Sequence, residues 1–410
     1  MFVLFNENTK FPIKIWTAQK EDIEESCIEQ AYHLANLPFL HKWVCLMPDT
    51  HTGKGMPIGG VIAAKDVIIP NAVGSDIGCG MAFIQTNIKA CELKNITTGS
   101  GSLLQCIVGD ILRNVPVGFS HFKVKQNCKT LDDAFSNLSL YEKQTPLFTE
   151  LEEAYYQIGT LGGGNHFIEL QEDEKGYLAI MIHTGSRHLG NQVCNYFHSK
   201  ARELNTLWYS SVPDQHRLAF LPTESQEGKD YINWMNLCLN FAHENRVTIL
   251  NSVKHLIEKQ FSKYTGQQIQ YSQEIHCHHN YASLETHYGQ EVWIHRKGAV
   301  RAQKGELVII PGAMGSYSYI AEGLGNEASF YSSSHGAGRQ YSRKGAMERF
   351  SCEEVIVDLK KNGIILGKSK KSDVAEESRF AYKDIDIVLS NEKDLVIPIK
   401  KLKTVGVVKG

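Results

Sequence analysis

The longest periodic pattern of apolar positions lies in residues 230–264. Apolar side chains recur there every three or four residues, at Trp234, Leu237, Cys238, Phe241, Ala242, Leu250, Val253 and Ile257. This spacing puts them on one face of a helix and predicts a long packing helix with no chemistry of its own. A second helix is predicted over residues 149–158, because TELE at residues 149–152 has the sequence of a capping box.

Shorter apolar runs bounded by glycine predict strands. Residues 61–69 predict a strand or hairpin, and residues 166–170 and 177–183 predict two paired strands joined by the turn QEDEKG. Further along the chain, EVWIHR, KGAVRAQ and GELVIIP predict short strands. Helical and strand patterns thus alternate, and no repeat, low-complexity tract or linker marks a domain boundary.

The composition is that of a soluble globular protein. The chain has 410 residues, of which 42% are hydrophobic and 21% charged, with a net charge of −2. A polyanionic partner would therefore have to meet locally concentrated positive charge. Residues 1–5 are apolar but are followed by Asn6 and Glu7, and no run approaches the ~20 apolar residues of a membrane span. Ten cysteines occur without a CxxC pair, so we expect a reduced, cytoplasmic protein that binds no membrane.

Two separate segments offer metal ligands. SDIGCG places Asp76 and Cys79 three residues apart, where a carboxylate and a thiolate can share or bridge metal ions; a buried cysteine beside a turn aspartate is the simpler explanation of that spacing alone. The predicted hairpin adds His166 and His183 at its open end. Directly opposed residues there have Cβ atoms ~5 Å apart, so two imidazoles can serve one metal centre.

A third segment, EIHCHHNY, adds His276, His278 and His279, among which the spacing does not choose. Carboxylate, thiolate and imidazole together suit a borderline divalent ion such as manganese, iron, cobalt or zinc. A thiolate between two ions would make the site dinuclear, and two-metal sites commonly serve phosphoryl chemistry.

Two glycine-rich loops offer phosphate chemistry. PGAMGSYS follows the apolar strand LVII and can direct backbone N–H groups at phosphate. A glycine- and serine-rich segment of this kind is equally typical of ordinary turns that bind no ligand. SSSHGAGRQYSR surrounds His335 with small residues and adds Arg339 and Arg343, whose guanidinium groups can donate hydrogen bonds to phosphate. His335 has the room that a nucleophile needs, but a metal ligand or a turn histidine remains open at this level.

Nine motifs occur in order along the chain: PDTHTGKGMPIGG, NAVGSDIGCGM, LGGGNHFIEL, HTGSR, CHHNY, PGAMGSYS, SSSHGAGR, AYKDID and VVKG. Together they resemble the RtcB family of RNA-splicing ligases, over a span from about residue 46 to the last residue. The resemblance implies an α+β fold: a single large domain over residues 1–410, with mixed and antiparallel sheets around a central dinuclear metal cleft, surrounded by helices.

The resemblance also implies an activity. The family joins RNA 3′-phosphate or 2′,3′-cyclic phosphate ends to 5′-hydroxyl ends with GTP and two manganese ions, through a covalent histidine–GMP. The implied RNA substrates are spliced tRNA halves, damaged tRNA or nicked rRNA. The sequence does not choose among them, and it leaves open whether turnover needs an activating protein partner.

Individual roles follow from the matched motifs. His335 matches the guanylylated histidine; Asp76, Cys79 and His166 match the ligands of one manganese, and Cys79, His183 and His279 those of the other. The residues implied at the GTP site are Asn165, His166, Phe167, Ile168, Glu169, His279, Asn280, Pro311, Gly312, Ala313, Met314, Ser318, His335, Gly336, Ala337, Gly338 and Lys409. Arg187 and Arg339 are implied to hold phosphate of GTP or RNA, and Asp49 to line the RNA-end site.

The chain departs from the family pattern at His188, Ala313, Thr50 and Thr52, which bears on substrate choice and leaves the metal ligands intact. We expect a local positive groove that includes Arg187, Arg339 and Arg343. The run of Lys368, Lys370 and Lys371 is more typical of a solvated loop.

Two other functions use parts of the pattern. A metal-dependent phosphodiesterase or phosphatase would need the ions, but it would not need His335, Lys409 or the PGAM loop. A non-catalytic RNA-binding protein would need no cluster of cysteine, histidine and aspartate.

Overall fold

Two β-sheets form the centre of the fold in the computed structural model. The structure describes residues 1–99, 101–137, 145–368 and 374–410; the predicted basic residues Lys370 and Lys371 lie outside them. The first sheet has six strands, in the order β1 (Phe2–Leu4), β2 (Ile13–Ile15), β3 (Leu40–His51), β4 (Ile58–Ala64), β14 (Gln290–Lys297) and β13 (Asn280–His287). The pairing of β2 with β3 is parallel and the other pairings are antiparallel, so this sheet is mixed.

The second sheet has eight strands and holds most of the predicted site. Its order is β12 (Tyr271–His278), β6 (Gly80–Lys89), β10 (Tyr177–Thr184), β9 (Phe167–Asp173), β20 (Val396–Lys409), β17 (Tyr317–Gly323) and β16 (Leu307–Ile310), with β19 (Ile365–Gly367) parallel to β20. Three short pairs complete the strands: β5 (Val67–Ile68) with β11 (Leu221–Pro222), β7 (Thr97–Thr98) with β8 (Gly101–Ser102), and β15 (Ala299–Arg301) with β18 (Ser332–Ser334).

Helices pack around these sheets. The described residues form α1 (Glu25–Ala35), α2 (Pro70–Val73), α3 (Ala90–Asn95), α4 (Leu103–Asn114), α5 (Lys129–Asn137), α6 (Pro146–Gln157), α7 (Arg187–Leu207), α8 (Gln226–Thr265), α9 (Arg343–Arg349), α10 (Cys352–Lys361) and α11 (Ile385–Asn391). Mixed and antiparallel sheets with surrounding helices confirm the predicted α+β class. The extent of a single domain over residues 1–410 stays a prediction.

The predicted long helix is confirmed as α8. Its N-terminus is capped by Ser225, whose hydroxyl accepts from the backbone N–H of Gly228, and it ends at Gly266, which has a φ of +70°. Apolar side chains of α8 and α4 pack on one face of the eight-stranded sheet, against residues such as Ile180. Although α8 has 40 residues, neither it nor any other described helix is long and apolar enough to cross a membrane.

Two local predictions need correction. The helix predicted from Thr149 begins earlier, at Pro146, and Thr145 is its N-cap residue; TELE therefore lies inside α6. Proline is favoured at a first helical position because its φ is already helical and its missing N–H is not needed there. In the hairpin of β9 and β10, the register pairs His183 with Phe167 and leaves His166 one position beyond the strand. The two histidines are therefore neighbours at the open end without being directly opposed.

Candidate active site

One edge of the eight-stranded sheet gathers the predicted ligands. Strand β6 begins at Gly80 directly after Cys79, β9 begins after His166, β10 ends at Thr184 directly after His183, and β20 ends at Lys409. Because β6, β10, β9 and β20 are antiparallel neighbours, these starts and ends lie at the same edge. His279 joins β12 of this sheet to β13 of the other, and its backbone N–H donates to Cys79 O (2.8 Å).

The first ligand group consists of Asp76, Cys79 and His166. His166 Nε2 lies 3.0 Å from Asp76 Oδ2 and 3.4 Å from Cys79 Sγ. All three ligand atoms lie within 4.8 Å of one another. These are the residues that the family resemblance implies as the ligands of one ion.

The second ligand group consists of Cys79, His183 and His279. His183 Nε2 lies 3.3 Å from Cys79 Sγ and 3.3 Å from His279 Nε2, and all three residues are buried. Cys79 belongs to both groups, so its sulfur is placed where it can bridge two ions. No more ligand groups of this kind occur among the residues that the structure describes.

Backbone carbonyls orient two of the imidazole rings. His166 Nδ1 lies 3.0 Å from Leu161 O, and His183 Nδ1 lies 3.2 Å from Asn165 O. A proton held on Nδ1 by a carbonyl leaves the Nε2 lone pair directed at the sulfur, which is the usual arrangement of metal-binding histidines. Of the HCHH run, only His279 enters the cluster: His278 Nδ1 lies near Gly78 O (3.0 Å), and His276 Nε2 lies near Glu274 (2.8 Å).

The protonation states suit a cation. Burial lowers the pKa values of His183 and His279 well below the usual range, so both rings are neutral ligands. Burial and the neighbouring Asp76 raise the pKa of the Cys79 thiol. Burial opposes ionisation of Asp76, but its hydrogen bond and charge interaction with His166 keep the pKa of that carboxyl below its usual value.

These donors fit a borderline divalent ion. Two neutral imidazoles face each other with Nε2 atoms 3.3 Å apart, and the buried His279 Nδ1 has no hydrogen-bond partner among the described residues. Lone pairs at that separation repel unless a proton or a metal ion lies between or beside them. A cation would also stabilise the thiolate of Cys79, which burial otherwise keeps protonated.

His335 lies beside this cluster, with its ring centroid 4.7 Å from that of His279. The buried carboxylate of Asp49 accepts from both the backbone N–H (3.0 Å) and Nδ1 (2.6 Å) of His335, each through Oδ2. Gly338 makes this approach possible: it has a φ of +72°, and a Cβ there would lie 2.1 Å from Asp49 O. Asp49 itself lies behind the ring and does not line the cleft.

A cleft of about 610 Å³ opens in front of His335. The predicted site residues that line it are Asn165, Phe167, Glu169, His183, Pro311, Gly312, Ala313, Met314, His335, Gly336, Ala337, Gly338, Arg339 and Lys409. Arg343 lines it as well, whereas Arg187 does not. The expected positive groove therefore contains two of its three predicted arginines.

Three predicted nucleotide residues lie behind the cleft wall. Ile168 is buried in the core of the eight-stranded sheet. The amide of Asn280 donates to Asp76 O (3.1 Å) and accepts from Gly298 N (2.8 Å). The hydroxyl of Ser318 accepts from Gln171 (3.1 Å) and from Gly312 N (3.2 Å). Each of these contacts supports the wall from behind.

Arg187 is held in a strained backbone conformation, with a φ of +59°. Its guanidinium donates to Thr160 Oγ1 (2.9 Å) and Gly118 O (2.9 Å), close enough for its charge to stabilise the Asp76 carboxylate. The neighbouring His188 is exposed and contacts Gln192. Of the other departures from the family pattern, Ala313 lines the cleft, and Thr50 is buried and donates to Ile58 O (3.0 Å).

Sequence reasoning missed Glu377, which anchors one side of the cleft. Its carboxylate accepts from Lys409 Nζ (2.5 Å), from Tyr382 (2.8 Å) and from Arg339. Burial disfavours the charged carboxylate, but Lys409 and Arg339 outweigh burial and lower the pKa of Glu377 to about 2. Tyr382 lies in the AYKDID motif, so the sequence could have indicated this side of the cleft. Glu377 lies in none of the nine motifs.

Glu169 is a second carboxyl in the cleft wall. Burial raises the pKa of Glu169 to about 7, even though Thr404 (2.8 Å) and Gln171 (2.7 Å) donate to it. At neutral pH it is therefore partly protonated, and it can either accept or donate a hydrogen bond to a ligand.

The family model described as tRNA-splicing ligase RtcB matches residues 30–410. The RNA-splicing ligase RtcB of Escherichia coli strain K12 is 36% identical over 425 residues, which cover 100% of this chain and 99% of that protein. The tRNA-splicing ligase RtcB of Nanoarchaeum equitans is 33% identical, over 97% of this chain and 95% of that protein. The RNA-splicing ligase RtcB of Mycobacterium bovis is 31% identical, over 93% and 100% respectively.

Proposed function

The chain belongs to the RtcB family of RNA-splicing ligases, and we propose that it joins RNA 3′-phosphate or 2′,3′-cyclic phosphate ends to 5′-hydroxyl ends with GTP. The family resemblance found in the sequence is thereby confirmed; the chemistry that follows is our proposal. One observation carries it: His335 lies between Asp49 on Nδ1 and the His279 ring, and no described residue forms a hydrogen bond with its Nε2. A histidine held in that way is poised to act as a nucleophile through Nε2.

We assign two manganese ions to the two ligand groups, with Cys79 as the shared ligand. When bound, such ions neutralise phosphate charge and polarise the attacked phosphorus. The residues of the chain supply the remaining functions: they bind the nucleotide, orient His335 and keep the proton on its Nδ1.

In the first step His335 Nε2 attacks the α-phosphorus of GTP. A nitrogen–phosphorus bond forms, the bond to the bridging oxygen breaks, and pyrophosphate leaves. The Nδ1 proton stays on the ring, which becomes cationic, and the Asp49 carboxylate 2.6 Å away stabilises that charge. The small residues around His335 leave room for the phosphoryl group.

In the second step an oxygen of the RNA 3′-phosphate attacks the phosphorus of the histidine–GMP. The nitrogen–phosphorus bond breaks and releases His335, and the RNA end then carries a phosphoanhydride to GMP. A cyclic phosphate end first adds water, which opens the ring to the 3′-phosphate. Finally, the RNA 5′-hydroxyl loses its proton and attacks the 3′-phosphate, and GMP leaves.

Guanine recognition is assigned to the end of the cleft formed by Phe167, Glu169 and Lys409. Glu169 can accept from or donate to the base edge, and Lys409 is held in place by Glu377. Arg339 and Arg343 line the same cleft and are assigned to phosphate groups of GTP or RNA.

The hydrolase and the non-catalytic RNA-binding protein are less well supported alternatives. A hydrolase would use the ligand groups, but it would have no use for a histidine nucleophile beside them or for Lys409 and the PGAM loop in the same cleft. A binding protein would have no need of buried sulfur and nitrogen ligands. The sequence does not choose the natural RNA or decide whether an activating protein is needed, and the cytoplasmic location stays an expectation from the sequence.

The test is covalent labelling. The purified chain is mixed with manganese and α-labelled GTP, denatured and examined for label on the protein. We expect acid-labile label in the parent and in His243→Ala, a control histidine exposed on α8, and none in His335→Ala. Metal content is measured in each variant, so that loss of label is separated from loss of ions. An unlabelled parent with bound manganese would refute the mechanism and favour the hydrolase.

A further inference from the structure

Three aromatic rings form a row that leads out of the cleft. Tyr341 lines the cleft, Phe350 follows with its centroid 6.2 Å away, and Phe380 lies 6.1 Å beyond Phe350. Phe380 is 51% exposed, so about half of the residue is open to solvent at the outer end of the row. We name Tyr341, Phe350 and Phe380 the aromatic ladder.

Arginines accompany the aromatic ladder along its length. Arg349 lies over the Tyr341 ring (4.5 Å from Cζ to the centroid) and Arg379 over the Phe380 ring (4.9 Å). Arg349 is exposed, donates to Gly345 O (3.1 Å) and pairs with no carboxylate among the described residues. Arg343, at the cleft end, is 52% exposed, and its partner carboxylate, Glu376, is 3.9 Å away.

This combination of charge and rings selects one kind of occupant. Rings interleaved with guanidinium groups are how proteins bind unpaired nucleic acid strands: bases stack on the rings, and phosphates contact the cations. A purely apolar partner would gain nothing from Arg343 and Arg349. A duplex would keep its bases stacked on each other and out of reach of the rings.

We propose that the aromatic ladder binds the unpaired nucleotides next to an RNA end that is to be joined. The proposal rests on the ligase function proposed above and names the form of its substrate, an end that continues as a single strand. Tyr341 follows Arg339 in the loop that carries His335, so a strand lying on the ladder leads its end toward Arg339 and the nucleophile.

The experiment measures RNA affinity by fluorescence anisotropy. The probe is an RNA with a 3′-phosphate and an unpaired tail of about eight nucleotides, within the usual span of such platforms. We expect Phe380→Ala to weaken binding about five- to tenfold, because a stacked base is lost from a half-exposed ring. Tyr209→Ala is the matched control, since Tyr209 is 94% exposed and lies away from the cleft; it should bind like the parent.

Two further arms separate stacking from packing. Phe380→Leu keeps apolar volume but removes the flat ring, so we expect nearly the same loss as in Phe380→Ala; affinity equal to the parent would overturn the proposal. The same RNA with its tail fully paired should bind the parent and Phe380→Ala alike. A 5′-hydroxyl oligonucleotide of the same length shows whether the ladder holds the donor or the acceptor strand.

Salt dependence tests the arginines. Arg349→Gln should reduce the slope of log affinity against log salt concentration by about one unit. The control is Arg113→Gln, which removes an exposed arginine on α4 and should have the same slope as the parent. The ligase proposal is judged separately, by labelling of His335. If the parent is labelled by GTP but Phe380→Ala binds RNA as tightly as the parent, the aromatic ladder alone is refuted. If Phe380→Ala binds RNA more weakly but the parent takes up no label, the ligase chemistry alone is refuted.

Discussion

Replacement of Asp49 by asparagine tests how the proposed nucleophile, His335, is held. Asp49 Oδ2 accepts from two groups of His335, the backbone N–H at 3.0 Å and Nδ1 at 2.6 Å, while Oδ1 is buried without a partner. The backbone N–H can only donate, so in Asp49→Asn the amide oxygen must occupy the Oδ2 position. The amide then still accepts from Nδ1, and the ring keeps the tautomer with Nε2 free.

The expected defect is therefore the loss of the negative charge alone. A hydrogen bond to a charged group contributes about 1.5–3 kcal/mol and a neutral one about 0.5–1.5 kcal/mol. The difference of about 1–2 kcal/mol falls on the step in which the ring becomes cationic, and corresponds to a labelling rate lower by about 5- to 30-fold. Asp49→Ala also frees the ring and should label more slowly still.

The assay is single-turnover labelling of the protein with α-labelled GTP under saturating manganese, with thermal denaturation as the check on folding. Labelling of Asp49→Asn at the parental rate would show that the carboxylate charge does not act on the reaction. Labelling as slow as in Asp49→Ala would show that the amide turns its NH2 group toward Nδ1, and that the backbone N–H does not fix its orientation. Either result refutes the reasoning.

Three further predictions concern the metal ligands and the buried acids. Cys79→Ser should lose both manganese ions in equilibrium dialysis, because Cys79 belongs to both ligand groups, while Cys91→Ser, an exposed cysteine, keeps them; loss of one ion only would refute the bridge. Glu377 has a folded-state pKa of about 2 against an ordinary 4.5, so its contribution is complete above about pH 4.5 and is lost as the pH falls toward 2. Glu377→Gln should lower the free energy of unfolding at pH 7 by about 3–5 kcal/mol. In urea unfolding measured at several pH values, its free energy of unfolding should also depend less on pH between 4.5 and 2 than that of the parent. Glu392 accepts from Ser334 N (2.9 Å) and Oγ (2.5 Å), and burial raises its pKa from 4.5 to about 8. The parent should therefore lose stability as the pH rises from 4.5 to 8. Glu392→Gln should have the same melting temperature as the parent near pH 4 and a higher one at pH 8.

Local patterns predicted the elements well and their ends less well. The apolar periodicity found the long helix α8, since the helix buries one face against the core over its whole length. The start of α6 was wrong because a capping-box sequence occurred one turn inside a helix that Pro146 begins. The hairpin was confirmed but its register was not, because the turn up to Gly176, with a φ of +79°, sets the register and its geometry is not visible in the pattern.

Ligand chemistry was predictable where the residue types are rare and close in sequence. Asp76 and Cys79, and His166 and His183, could be proposed from single segments, but the choice of His279 over its neighbours came only from the family resemblance. Contacts between distant segments were not accessible in this way. Asp49 and His335 are 286 residues apart, and nothing in either segment indicates that the carboxylate accepts a hydrogen bond from the ring.

The proposed nucleophile, His335, and the two ligand groups are carried by different sheets. Asp49 belongs to β3 of the six-stranded sheet, and His335 directly follows β18, whereas Cys79 and His183 lie at the edge of the eight-stranded sheet. His279 joins the two sheets, with its ring 4.7 Å from His335 and 5.0 Å from His183. The distance from His335 to the two ligand groups is therefore set by the packing of the sheets against each other, through His279, which connects a strand of one sheet to a strand of the other. A change that loosens this junction should slow guanylylation without removing any ligand.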